Sequence, residues 1–380
     1  MKREASPIVV AVGILALLVA IEIVYWQKLG PAKPRVTAAT RQGGGGSQGG
    51  SASETPSGDP RFVVVTLAGA PEAGHQDGTA GEARFDGPAA VCADRNGNVY
   101  VADSRNHAVR RISALGLVST VAGGTSREGY ADGPAQGSRF SAPAGIALLP
   151  DGSLLIADTG NHRLRRVSSA GVVAAFAGSD TPKDELGRPT GGYKDGPVMQ
   201  AQFRYPVGLA AAGDGTVYVS DAGNHCVRRV ADGVVSTVAT AEGEMDTPTG
   251  LSWVGGILHV TDAATGCIWA GPATGPLSRL EWDGLRKLSA VPSGVAVVRG
   301  GILIADARSH GLYGFTYRSN LSPGSPLAGQ QGTAGWADGR GDEARFSQPA
   351  GLCVGPEGSV YVADFGNNCV REVTLPGSLR

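Results

Sequence analysis

The chain has 380 residues, 59 of them Gly and 23 Pro, with 42% hydrophobic side chains and 33 basic against 34 acidic residues for a net charge of -1. So even a balance supplies no long-range attraction for nucleic acid or an anionic surface, and it sets aside the functions that depend on one. Abundant Gly and Pro among many apolar residues suit short strands joined by tight turns rather than long helices.

Taken in chain order, the first element is Ile8 to Trp26, 19 almost unbroken apolar residues, about 28 Å long as a helix and enough to span a bilayer. A cleaved secretory signal has a shorter core that ends at a small-residue site. Here Glu22 is followed by Ile23, Val24, Tyr25 and Trp26, an interface-anchor ending. Residues 1–29 are therefore expected to be an uncleaved signal anchor and a single transmembrane helix. Lys2 and Arg3 on one side are matched by Lys28, Lys33 and Arg35 on the other, so orientation rests on the short tail. The N-terminus is expected inside and the bulk of the chain in the extracytoplasmic space, periplasmic or extracellular. Residues 30–60, with Gly43 to Gly50 nearly all Gly, have little to bury and read as a flexible tether.

Residues 61–380 are built on a repeat. An apolar run ending in Asp recurs at Asp103, Asp158, Asp221, Asp262, Asp306 and Asp364, at intervals of 55, 63, 41, 44 and 58 residues. Recurrence of this size marks an array of small supersecondary units. Each unit contains four strand-length runs, clearest at Gly145 to Leu149, Ser153 to Ala157, Arg163 to Val167 and Val172 to Ala177, with hairpin chemistry between them. A Pro opens each first strand, at positions 88, 143, 206, 248, 292 and 349. Six four-stranded antiparallel meanders bury their faces by stacking radially, so the expected fold is all-β, a six-bladed β-propeller. The solitary strand Phe62 to Leu67 resembles an outer strand, and the last unit supplies three strands up to Val373. The first strand is therefore expected to complete the last blade.

The pattern Asp158-Thr-Gly-Asn-His-Arg-Leu-Arg165, with Asn106-His107 and Asn224-His225, resembles the NHL repeat. The resemblance implies a six-bladed propeller and leaves function open, since that family includes receptor-kinase sensor domains, RNA-binding adaptors, extracellular adhesion modules and an amidating lyase. Units four and five depart from the motif, with Thr265-Gly266 and Ser309-His310 in place of Asn-His.

The recurring Asp residues and His107, His162 and His225 are expected to be structural, the Asp accepting backbone N–H groups of its turn and the His bonding between blades. The first strands, which should line the central channel, contain no carboxylate or imidazole, and no catalytic set stands out from the repeat. No metal or other cofactor is therefore expected. The five Cys residues recur at equivalent places and read as small apolar fillers.

The long connections between units carry Asp-Gly and, eight residues after the Asp, a Phe: Asp77 and Phe85, Asp132 and Phe140, Asp195 and Phe203, Asp338 and Phe346. The Phe residues are expected to pin the loops, and Arg84, Arg139 and Arg345 to brace them. Two residues before each Asp stand His75, Tyr130, Tyr193 and Trp336. Aromatic and amphipathic side chains on a loop-rich face are favoured binding anchors, so these four are the candidate ligand or partner contacts. The reading is a membrane-tethered, non-catalytic binding or sensing module for a protein, small molecule or glycan. The competing reading is a lyase or hydrolase acting at the channel mouth.

Overall fold

The computed structural model describes residues 62–379 apart from 125–126, 239, 241–244, 273–274, 281–290, 300, 317–324 and 378. Residues 1–61, and with them the expected anchor and tether, lie outside the described residues. Among the described residues no helix is long and apolar enough to cross a membrane.

Six antiparallel sheets form the six expected blades. From the axis outward, blade one runs Pro88–Ala93, Val99–Asp103, Ala108–Ile112 and Leu117–Gly123. Blades two to five repeat the order from Pro143, Pro206, Pro248 and Pro292. In blade six the inner strands Pro349–Val354, Val360–Asp364 and Cys369–Thr374 are joined by Val63–Gly69, which pairs antiparallel with Cys369–Thr374. The expected closure holds, and it buries Phe62, Val64 and Ala68.

The strand count differs from expectation in four blades. Blades one, two, three and six have a fifth, outermost strand of two residues: Gly78–Thr79, Gly133–Pro134, Gly196–Pro197 and Gly339–Arg340. Each belongs to the long connection that precedes its blade. After leaving one blade, the chain runs to the outer edge of the next, adds a strand there, and only then enters the axial strand. Pairing that edge supplies partners for backbone groups that would otherwise face water. Among the described residues, blades four and five have four strands, the outer ones only the two residues Ser278–Arg279 and Ala328–Gly329.

Apolar clusters fill the seams between blades. Between blades six and one, Phe85, Val91, Val101, Ile112 and Val118 pack with Ala363 and Val370. At the axis, Gly is required by close approach: a Cβ on Gly145 would stand 2.0 Å from the Val207 carbonyl oxygen, and one on Gly208 2.0 Å from that of Thr249. The axial strands enclose a cavity of about 110 Å³ lined by backbone and small or apolar side chains such as Ala90, Val91, Ile146 and Leu209.

Candidate functional site

Everything at the loop-bearing end is set on a recurring buried ion-pair assembly. Each carrier Arg stands seven residues after the repeat Asp: Arg110, Arg165, Arg228 and Arg371, all with fully buried side chains. In blade one, Arg110 Nη1 donates to Asp103 at 2.8 Å and to the Arg84 carbonyl at 3.0 Å. Its Nη2 donates to the Gln76 carbonyl at 2.7 Å and to Asp77 of the preceding loop at 2.8 Å. Asp77 in turn accepts the Thr120 backbone N–H on the outer strand. The guanidinium lies 5.0 Å from the Phe85 ring centroid. The Arg bonds recur in blades two, three and six around Asp132, Asp195 and Asp338, over Phe140, Phe203 and Phe346. The outer strand reaches Asp132 and Asp195 through the backbone N–H of Ala175 and Thr237, and Asp338 through the Thr66 hydroxyl. All four Phe residues are completely buried, which bears out their pinning role.

The repeat Asp works differently from the expectation. In these four blades its Oδ1 accepts a backbone N–H from the segment entering the blade (Asp86, Ser141, Arg204 and Ser347) rather than from its own turn. Its Oδ2 accepts from the Arg and from Asn106, Asn161, Asn224 or Asn367. Burial pushes the carboxyl of Asp103 up to about 7 and those of Asp158, Asp221 and Asp364 up to about 6, against the downward pull of Arg and Asn donors. In blades four and five, which lack the long connection, the Arg position holds buried Trp269 and Tyr313. There Asp262 and Asp306 do accept N–H groups of their own turns.

The His residues bond between blades as expected. His107 Nδ1 accepts the Ala142 N–H at 3.0 Å, and His162 Nδ1 that of Tyr205 at 2.9 Å, each from the following blade. His310 does the same for Gln348, and Asn368 Oδ1 for Gly87. Blade five therefore keeps the turn geometry despite its changed sequence, with His310 in the left-handed region at φ 57°. His225 differs, its ring lying against Asp246. The cysteines are free, and burial drives the Cys353 thiol up to about 12, which fits small apolar fillers.

The four candidate contacts sit at equivalent places, each beside the Arg assembly of its own blade. His75 Nε2 is 3.2 Å from Thr120 Oγ1, and burial holds its pKa below the usual value. Tyr130 is 44% exposed and roofs Arg165 at 4.4 Å, so that the guanidinium lies between Tyr130 and Phe140. Tyr193 covers Arg228 at 4.9 Å and bonds Thr237 Oγ1 at 2.9 Å. Trp336 is about half exposed. Arg84 and Arg345 each donate to three nearby carbonyls and brace their loops.

Of these four, Tyr130 lines a polar pocket of about 640 Å³ between blades two and three. The pocket's floor is the turn Gly160–Arg163 with Ser141 and Tyr205, and one wall is the segment from Asp180 to Pro189, folded back through bridge pairing of Lys183 with Pro189. Arg163 Nη2 donates to Asp180 at 2.7 Å and stacks on Tyr130 at 4.2 Å. With Nδ1 accepting from Tyr205, His162 carries its proton on Nε2 and donates it to the Pro189 carbonyl at 3.0 Å. Burial pulls its pKa down to about 4. Sequence reasoning missed this pocket and the Arg partners, although the Asp-to-Arg spacing of seven was visible. Among the described residues no group of three or more His, Cys, Asp or Glu side chains could hold a metal ion.

The model of the NHL repeat matches residues 85–112, 140–166, 203–230 and 346–372, the four blades that carry the Arg assembly. NHL repeat-containing protein 2 of Bos taurus is 28% identical over 337 residues, 81% of this chain and 41% of that protein. The chain thus spans about two fifths of the length of the curated relatives it matches first. Among solved structures, an auxiliary nutrient binding protein from Bacteroides thetaiotaomicron superposes with a TM-score of 0.58 at 15% identity, over 82% of this chain and 76% of that one. Catalytically inactive virginiamycin B lyase from Staphylococcus aureus gives 0.53 at 12% identity, over 83% and 99%. At such identities the likeness is one of fold.

Proposed function

We propose, from the premise that this chain is an NHL-repeat six-bladed β-propeller, that it is a non-catalytic binding module whose ligand docks on the end bearing the inter-blade loops. The observation that carries this reading is the polar pocket between blades two and three, formed where the sequence departs from its own repeat. The axial cavity, by contrast, is lined by backbone and by side chains without an ionisable group, so the hydroxyls of Thr249 and Ser293 have no general acid or base beside them in that lining. The kinship in fold to a nutrient-binding protein supports binding, and that to a lyase leaves chemistry open. Metal analysis of the purified protein separates the two, since a metal-dependent lyase or hydrolase would retain a stoichiometric ion.

The apolar run Ile8 to Trp26 supports membrane tethering with the propeller in the extracytoplasmic space. Fractionation should leave the chain in the membrane at unprocessed mass, and a shorter soluble form would refute the anchor. For the binding face, affinity capture from an envelope extract is run with the wild type, with Ala at Tyr130, Tyr193 and Trp336 together, and with Asp151→Ala at the opposite end. True anchors cost about 1–4 kcal/mol of binding each, so capture should fail with the first variant and persist with the second. The reverse pattern would place the functional face at the other end.

A further inference from the structure

We infer that the pocket between blades two and three binds a neutral polyhydroxylated ligand of the saccharide class, an inference that rests on the binding-module reading above. The repeat supplies its own control. Five residues after the repeat Asp, the other blades carry Ala108, Cys226, Cys267, Gly311 and Cys369, all small. Blade two alone has a large cation there, Arg163. The connection facing it lies in the longest interval between successive repeat Asp residues, 63 positions. Blade closure needs neither feature, because the neighbouring blades close without them. The two meet in the Arg163–Asp180 ion pair, and His162 ties the segment down through Pro189.

The chemistry of the walls selects the ligand. Glu128, Asp180 and Asp184 face Arg163, Lys183 and Arg188, so the lining carries no net charge and offers a polyanion or polycation no field. Four of the six are already paired, Arg163 with Asp180 and Arg188 with Asp184 at 3.3 Å. A charged ligand has to break such a pair unless it is met by Lys183 or Glu128, which carry no ion pair with the other lining groups. A hydroxyl can accept from the guanidinium and donate to the carboxylate while the pair stays whole. Tyr130 adds exposed ring surface for the C–H side of a sugar ring. The volume of about 640 Å³ falls in the range of small-molecule sites.

The test screens the full-length protein, in detergent, on an array of neutral di- to hexasaccharides of gluco, manno, galacto and xylo configuration. Hits are titrated calorimetrically, beside glycylglycine and an oligouronate as zwitterionic and anionic probes. At least one neutral saccharide should bind, with affinity changing less than about twofold between roughly 0.05 and 0.5 M NaCl. Asp184→Ala and Tyr130→Ala should each weaken it about tenfold or more, and Trp336→Ala less than about twofold. Melting curves check that each variant is folded, and Asp184, on an exposed wall, carries the test if Tyr130→Ala is unstable. Binding of the charged probes alone, or of no array member, overturns the inference. So does a saccharide lost on Trp336→Ala or Tyr193→Ala and kept by both pocket variants, which would leave the loop-face reading standing.

Discussion

Replacing Arg165 by Met removes the guanidinium that joins Asp158, Asp132 and the carbonyls of Arg139 and Ala131 in blade two. Asp132 is 39% exposed and rehydrates, so its share of the loss is at most about 1 kcal/mol. Asp158 has no access to water, and stripping a buried charge of its partner costs about 3–5 kcal/mol. The two carbonyls fall within that figure because it already counts the orphaned acceptors. The cost should depend on pH in a definite direction. Burial already raises Asp158 from 3.8 to about 6 with Arg165 present, and removing the cation raises it further. A folded-state carboxyl that holds its proton more tightly than the unfolded one favours the fold at low pH and loses that contribution as pH rises through the folded value. The deficit of Arg165→Met against wild type should therefore be smaller at about pH 5 than at about pH 8. Urea unfolding followed by tryptophan fluorescence at both pH values measures it. Equal midpoints for variant and wild type, or a deficit as large at the lower pH, would refute the buried-pair account.

Three further outcomes follow from the same geometry. His162→Asn should keep an acceptor for the Tyr205 N–H, as Asn368 does for Gly87 in blade six. His162 titrates near 4 in the fold against 6.5 unfolded, so its contribution is present above 6.5 and is lost as pH falls toward 4, by roughly 3 kcal/mol. The variant should melt within about 1 kcal/mol of wild type near neutrality and lose less on acidification, and equal acid sensitivity would count against the assignment. Gly208→Ala puts a Cβ 2.0 Å from the Thr249 oxygen and should cost about 1–3 kcal/mol or more. Gly213→Ala, with open space around it, is the control, and matching melting temperatures would disprove the close approach. Deleting residues 61–70 strips the outer strand from blade six and should lower the melting temperature far more than deleting residues 30–60.

Much of this architecture could be read from residues alone because the repeat imposes the same local demand six times. Blade number, the closing strand and the buried Phe residues all follow from apolar periodicity and recurring turn chemistry. The fifth strands were not legible: Gly78–Thr79 and its equivalents are two residues long, too short for any alternation to register. The buried Arg residues were not legible for a different reason. Strand alternation sends Arg110 fully inside while Arg111 stays partly exposed, and a guanidinium is tolerated there because the repeat Asp103 and the distant loop acid Asp77 both accept from it. The pocket depends on Arg163 and on a segment 17 to 26 residues further along the chain (180–189) that folds back over it, a tertiary coincidence that no local pattern encodes.

The distribution of partners around the repeat Asp also constrains how such a chain can change over generations. All six blades keep the Asp, four pair it with Arg and a loop acid, and two have an aromatic and no long connection. A carboxyl left without its cation can take up a proton and become neutral, whereas a guanidinium cannot give one up. Losing the loop first would leave a permanently charged guanidinium in the interior with the repeat Asp alone and its other loop acceptors gone. Losing the Arg first leaves an acid that can discharge itself and a second acid already half in water. Blades descended from a common unit would thus pass from the five-stranded to the four-stranded form by exchanging Arg for Trp or Tyr before the connection shortens, and pass back by the opposite order, with the loop acid in place before the cation arrives.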